Sequence, residues 1–207
     1  IDGLVGSTPE TLAVVHDGRL SIRVLAGSTA RGDSPAADRA RAEALATSSK
    51  DNDEHRFAVN SVVQALEPIT AHSAADEQPF TLKLANVWHL ATDIEATLPA
   101  GVTSLEVVGA IHPSAAVAGS PTPVALEIIR HSEPFDRGRY AGPVGWMDAS
   151  GDGEWSIALR CAQWSPEGTI TAYAGAGIVA DSEPASELLE TRLKFKPVLG
   201  AFGPQGD

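Results

Sequence analysis

The first third of the chain places apolar residues in short runs at 3–6, 11–16 and 20–25. Turn formers separate them, Ser7-Thr8-Pro9 and then His16-Asp17-Gly18. This pattern predicts strands of a meander. The period then changes. Residues 36–48, rich in Ala, Arg, Glu and Leu, predict a helix. A second helix is predicted over about residues 51–66, with Ser48 or Ser49 near its start. Its apolar face is Ala58, Val62, Ala65, Leu66 and Ile69, and the stripe begins with two carboxylates, Asp51 and Glu54.

Residues 71–79 read as an exposed loop, 80–84 and 92–96 as strands, and 104–110 and 121–129 as helices. Strands at 144–149 and 155–161 flank Ser150-Gly151-Asp152-Gly153, a hairpin signal. A strand at 169–174 precedes a last helix over 182–194, and residues 200–207 read as a disordered tail. Consecutive strands interspersed with helices predict an α+β domain over residues 1–199 with a largely antiparallel sheet.

The 207 residues suffice for one substantial core or two small ones. No apolar run is long enough to cross a bilayer. The net charge of -12 argues against nucleic acid as a partner. It also means that an anionic ligand would need local compensation from a few Arg or Lys residues. Cys161 is the single cysteine, so no intrachain disulfide forms, and a reducing, cytoplasmic setting is expected.

The last helix carries Glu187, Glu190 and Lys194 at spacings that place them on one face, soon after the glycine loop Ala174-Gly175-Ala176-Gly177. An acid-acid-base stripe is either a solvated helix face or a place to hold a cation and an anion together. Spacing alone leaves both open.

Several segments, taken in order, resemble the chorismate-utilising enzymes. They are Leu25-Ala26-Gly27-Ser28, Lys50-Asp51-Asn52-Asp53-Glu54-His55, Trp88-His89-Leu90-Ala91-Thr92, His112-Pro113-Ser114-Ala115-Ala116-Val117, Phe135-Asp136-Arg137-Gly138-Arg139-Tyr140, Leu159-Arg160-Cys161, and Gly175 with Glu190 and Lys194. Each is weak singly; their order along nearly the whole chain is specific. Within the family they are most similar to isochorismate synthases, isomerases that add water at C2 of chorismate and expel the C4 hydroxyl. Aminodeoxychorismate synthases carry a nucleophilic lysine where this chain has Ala26.

The resemblance implies roles residue by residue. Glu54 and Glu190 match the glutamates that bind Mg²⁺, and Asp51 and Glu187 lie three residues earlier, where they would bind through water. Glu10, after Thr8-Pro9, matches the general acid and would need a raised pKa to act near neutral pH. Arg160 matches the arginine that forks onto the pyruvyl carboxylate, with Tyr140 beside it. Gly175 would offer backbone contact, and Lys194 positive charge at the ring carboxylate. Gly27 and Ser28 match a loop beside the ring, His89 and Thr92 residues near C4, and Ala116 and Val117 an apolar wall. His89 reads equally as a satisfied core histidine. His55 and His112 read as structural, and Trp146, Trp155 and Trp164 as packing residues.

The resemblance covers the C-terminal part of a chorismate-binding domain. The family's water-activating lysine belongs to a strand upstream of Glu10, and Lys50, Lys83, Lys194 and Lys196 do not match it. The chain is therefore expected to be an incomplete view of an enzyme that is a monomer when complete, feeding menaquinone or siderophore biosynthesis. The alternatives are a salicylate synthase or other chorismate-utilising enzyme, and a catalytically incomplete homologue that only binds ligand. Missing strands should leave unpaired edges and exposed apolar surface.

Overall fold

The computed structural model describes residues 2–75, 78–85 and 87–203. Among the described residues, ten strands form two antiparallel sheets. The larger is built on the hairpin of β2 (Thr11–His16) and β3 (Arg19–Ala30). Its two-residue turn is Asp17-Gly18, with φ of 49° and 71°. Both central residues lie in the left-handed region, so the turn's twist matches the flanking strands. β6 (Val87–Thr97) pairs with β3 along its length, and β8 (Gly153–Ile157) pairs with β2. β7 (Pro143–Met147) closes one edge, while β4 (His72–Ala75) and β5 (Phe80–Lys83) share the outer edge of β6.

Two helices follow β3: α1 (Pro35–Thr47) and α2 (Ser49–Leu66). Ser48 caps α2, its hydroxyl accepting from the Asp51 N–H. The predicted apolar stripe of α2 enters the core. Ala58, Val62 and Leu66 pack with Leu12, Leu20, Ile22 and Ile94 of the sheet, and with Val107, Val108 and Ile111 of α3 (Ser104–Ile111). A short α4 (Ala115–Ala118), absent from the sequence reading, precedes α5 (Thr122–Ser132).

The smaller sheet has the order β1 (Gly3–Gly6), β9 (Cys161–Trp164), β10 (Ile170–Ala172). The first apolar run thus leaves the expected meander and pairs with β9, far away in sequence. The strand expected over 155–161 is broken for a related reason. Leu159 N–H donates back to the Ile157 carbonyl at 2.8 Å, which ends the pleat, and Arg160, with φ of 47°, turns Cys161 into the second sheet.

Other expectations also change. The loop expected at 71–79 contains β4, recruited by the open edge of β6; residues 76 and 77 lie outside the described residues. The last helix, α6 (Pro184–Phe202), continues through residues 200–202, where a disordered tail was expected; 204–207 lie outside the described residues. Of the tryptophans, Trp155 is partly buried and donates to Ser104 Oγ at 3.2 Å, but Trp146 and Trp164 are exposed. Trp146 sits on β7, whose five residues are all exposed, and α5 buries none of its residues. Large apolar side chains are exposed on the edge strand β7 and at Val124 and Ile128 of α5.

Candidate active site

A cavity of about 290 Å³ opens between the sheets and the first turns of α2 and α6. Its floor is a bulge in β3. The β3–β6 register shifts between Ala26 and Ser28, and Gly27 has φ of 75°. A side chain at Gly27 would stand 3.1 Å from Asp51 Cβ, so glycine lets α2 lie close.

Two helices bring carboxylates to this floor. Asp51 and Glu54 come from α2, Glu187 and Glu190 from α6. Glu187 is buried and pairs with Lys50 Nζ at 3.2 Å. The Ser48 hydroxyl donates to Asp51. Glu190 accepts from Ser28 Oγ at 3.3 Å and pairs with Lys194 at 2.7 Å. The Glu54 carboxylate has no hydrogen bond to another described residue. Burial, then the Glu190 and Asp51 charges, push its pKa up. A cation would relieve that repulsion. Gly177 leaves room for the Glu54 carboxylate, since a Cβ there would lie 2.8 Å from Oε1.

The carboxylates therefore fit a hard divalent ion held by one or two protein oxygens and completed by water and substrate. They are too spread to close around an ion alone. The tightest possible ligand group among the described residues is elsewhere: His16, Asp17 and Asp152, within 4.8 Å on an exposed turn. There the Asp152 carboxylate accepts from the Asp17 N–H at 3.1 Å, which caps the β2–β3 hairpin.

The opposite wall carries positive charge and an acid. Arg160 stands at the corner between the two sheets, and its guanidinium has no hydrogen bond to another described residue. Burial lowers its pKa, against the pull of Tyr140, Glu10 and Glu190. Tyr140 stacks on Tyr173, centroids 5.4 Å apart, and a side chain at Gly175 would lie 3.2 Å from its hydroxyl. Glu10 is tied to β8 through its carbonyl, which accepts from Ile157 N–H at 3.0 Å. Burial raises its carboxyl to about 7, although Lys194 and Arg160 pull it down.

The two histidines separate cleanly. His55 is a satisfied core histidine, with Nδ1 3.1 Å from the Ala26 carbonyl and Nε2 2.8 Å from Thr92 Oγ1. His89 lines the cavity, is buried, and neither ring nitrogen makes a well-formed hydrogen bond to a described residue. Burial, followed by the Arg160 and Lys194 charges, lowers its pKa to about 4 against the nearby Gly27 backbone, so the ring is neutral. A buried polar ring left open on a cavity wall is placed to meet a ligand.

Of the sequence-derived site residues, Glu10, Gly27, Ser28, Asp51, Glu54, His89, Ala116, Val117, Tyr140, Arg160, Gly175, Glu187, Glu190 and Lys194 all line this cavity. Thr92 does not. It is fully buried behind the wall, bonded to His55. The strand explains this, because residues an odd number apart point to opposite faces, so Thr92 cannot share the face of His89. The reading also missed cavity residues: Lys50, Arg137, Tyr173 and Ser186. Lys50 was legible, one turn before Glu54 on the same helix. Arg137 is forked onto Glu133 and donates to the Val117 carbonyl, contacts that no local pattern announces.

Comparison with known proteins bears on this arrangement. The family described as chorismate binding enzyme matches residues 2–203. Isochorismate synthase DhbC of Bacillus subtilis (strain 168) is 42% identical over 201 residues, which are 97% of this chain and 50% of that protein. The structure of MenF, the menaquinone-specific isochorismate synthase from Escherichia coli, matches with a TM-score of 0.84 at 32% identity, covering 93% of this chain and 44% of that one. Anthranilate synthase component I from Streptococcus pneumoniae TIGR4 matches with a TM-score of 0.81 at 28% identity, covering 93% of this chain and 42% of that one. This chain spans about half the length of the curated relatives it matches. The α+β architecture is the one these proteins share.

Proposed function

The chain belongs to the chorismate-binding enzymes, and from that premise we propose that it is the C-terminal part of an isochorismate synthase. The observation that carries this reading is the cavity itself, where Glu10 and Arg160 share one wall and the Glu54 and Glu190 carboxylates converge from two helices. Water adds at C2 of chorismate, the ring double bonds shift, and the C4 hydroxyl departs. Glu10 gives that hydroxyl its proton. Arg160 forks onto the pyruvyl carboxylate and Tyr140 flanks it, while Gly175 contributes its backbone. Gly27, Ser28, Ala116 and Val117 hold the ring, and the neutral His89 faces its C4 side.

Glu54 and Glu190 would hold Mg²⁺, with Asp51 and Glu187 supporting it through water. When bound, the ion neutralises the ring carboxylate and fixes its place. Lys194 adds a cation on the same side. Positive charge thus concentrates in one cleft of an acidic protein, which is how a dianion is admitted. Lys50 and Lys194, the two cavity lysines, are each paired with a carboxylate, so activation of the attacking water is left to the upstream lysine of the family.

The reaction would serve menaquinone or siderophore biosynthesis. A reducing cytoplasm suits the free, buried Cys161, and no helix among the described residues is long and apolar enough to cross a membrane. The complete protein would act as a monomer. Incubation of the full-length protein with chorismate and Mg²⁺, followed by product separation, tests the proposal. Isochorismate alone is the expected product. Salicylate and pyruvate as direct products would reassign the enzyme as a salicylate synthase, and no turnover would leave a ligand-binding homologue.

A further inference from the structure

We propose that His55 is a positioning residue for the carboxylate pair, locking the turn of α2 that carries Glu54 to both strands behind the cavity. His55 is 2% exposed, and each ring nitrogen is bonded to a different strand. The Ala26 carbonyl can only accept, so Nδ1–H donates to it. Nε2 is then the acceptor, and the Thr92 hydroxyl donates to it. The tautomer and the ring plane are both fixed by these partners.

The consequences reach both sides of the site. Successive helix side chains point about 100° apart, so His55 faces the sheet while Glu54 faces the cavity. Its partner Ala26 immediately precedes Gly27, where β3 bulges against Asp51. The next residue, Ser28, donates to Glu190. One imidazole therefore fixes the helix of the first carboxylate and the strand that orients the second. A leucine could fill this volume without losing hydration. A buried ring bonded at both nitrogens instead specifies a single position for α2 relative to the bulge.

This inference rests on the proposed metal site, and the test separates the two. In the full-length protein, Mg²⁺ affinity without substrate is measured by calorimetry for Thr92→Val, His55→Asn, His55→Leu and Glu54→Gln, with thermal unfolding recorded in parallel. Thr92→Val and His55→Leu are expected to weaken Mg²⁺ binding by about tenfold or more, as outer-shell losses do. They should lower kcat more than they change KM for chorismate. His55→Asn keeps a donor for Ala26 and should recover part of the loss.

A lowered unfolding temperature with Mg²⁺ affinity within about twofold of the parent would overturn the proposal and leave His55 a packing residue. If His55→Leu does not fold, the near-isosteric Thr92→Val decides alone. Unchanged Mg²⁺ binding in Glu54→Gln would overturn the metal site itself. Loss in Glu54→Gln without loss in Thr92→Val would overturn only the role of His55.

Discussion

Lys194 Nζ lies 2.7 Å from Glu190 Oε1, one helical turn earlier on α6. The same ammonium donates to the Gly175 carbonyl at 2.9 Å. The acid-base stripe of the last helix is therefore not a solvated face. It is docked on the glycine loop, with its acid turned to a second carboxylate from α2 and its base poised beside the cavity.

Glu190→Gln keeps the size of the side chain and its bond from Ser28, but removes the charge. The variant is expected to retain its fold by circular dichroism and to lose roughly 10³-fold or more in turnover through loss of Mg²⁺. Full turnover at saturating Mg²⁺ would refute the ligand role.

Glu10 sets a pH dependence with two parts. If Glu10 is the proposed general acid, its protonated form is the active one, and kcat/KM should fall as pH rises through about 7. Glu10→Gln should lose about 10²- to 10⁴-fold in rate and flatten that limb. Stability runs the same way. The folded carboxyl holds its proton up to about 7, whereas the unfolded one ionises near 4.5. Stability is thus fully present below about 4.5 and declines as pH rises toward 7. Denaturant unfolding of Glu10→Gln against the parent, on either side of that window, should show the variant gaining relative stability at the higher pH.

Arg160→Lys preserves the charge but not the planar fork. A lysine also meets the left-handed backbone at this corner, which the native arginine already tolerates. The expected result is a loss of about 10- to 100-fold in kcat/KM with the fold intact, from weaker grip on a carboxylate. Steady-state kinetics would settle it, and unchanged kcat/KM would remove Arg160 from the site.

Gly177→Ala places a methyl 2.8 Å from Glu54 Oε1. The carboxylate is the end of a flexible side chain and will move aside, so stability should be nearly unchanged. Mg²⁺ affinity should fall several-fold, by analogy with outer-shell changes of about tenfold. Equal affinity by calorimetry would place the glycine loop outside the metal's surroundings.

Asp38 anchors α1 to the sheet edge. It accepts two bonds from Arg31, one from Trp88 Nε1 and one from Gly32 N–H. The Arg31 bonds hold its carboxyl well below the usual range. Its contribution is therefore present above the ordinary value of 3.8 and is lost as pH falls below it. Asp38→Asn should unfold at lower denaturant than the parent at neutral pH, with the gap narrowing in acid. A constant gap would show that the network does not carry the charge effect.

Local regularity made much of the fold legible. The α2 stripe, the Asp17-Gly18 turn and the Ser150-Gly151 turn were readable because each depends on residues within a few positions of one another. β4 was not, since its His-Ser-Ala-Ala segment has no alternating pattern and pairs only because β6 offers an open edge. Arg160 was legible as a site residue through its motif and does line the cavity, yet its corner between two sheets was not legible. Thr92 is instructive: motif position put it with His89, while strand alternation, visible in the same five letters, puts them on opposite faces, and Thr92 does not line the cavity.

The sequence by itself determined most of the element types, the apolar face of α2 and, through ordered motifs, the family and about half of the cavity's lining. Only the tertiary structure decided which charges meet: Lys50 with Glu187, Lys194 with Glu190, and Glu54 left facing its neighbours without a hydrogen bond. It also decided which histidine is satisfied and which is open. The reason is physical. Periodicity and turn chemistry act over a few residues, whereas burial, repulsion and hydrogen-bond closure depend on groups that α2, β3 and α6 bring together from across the chain.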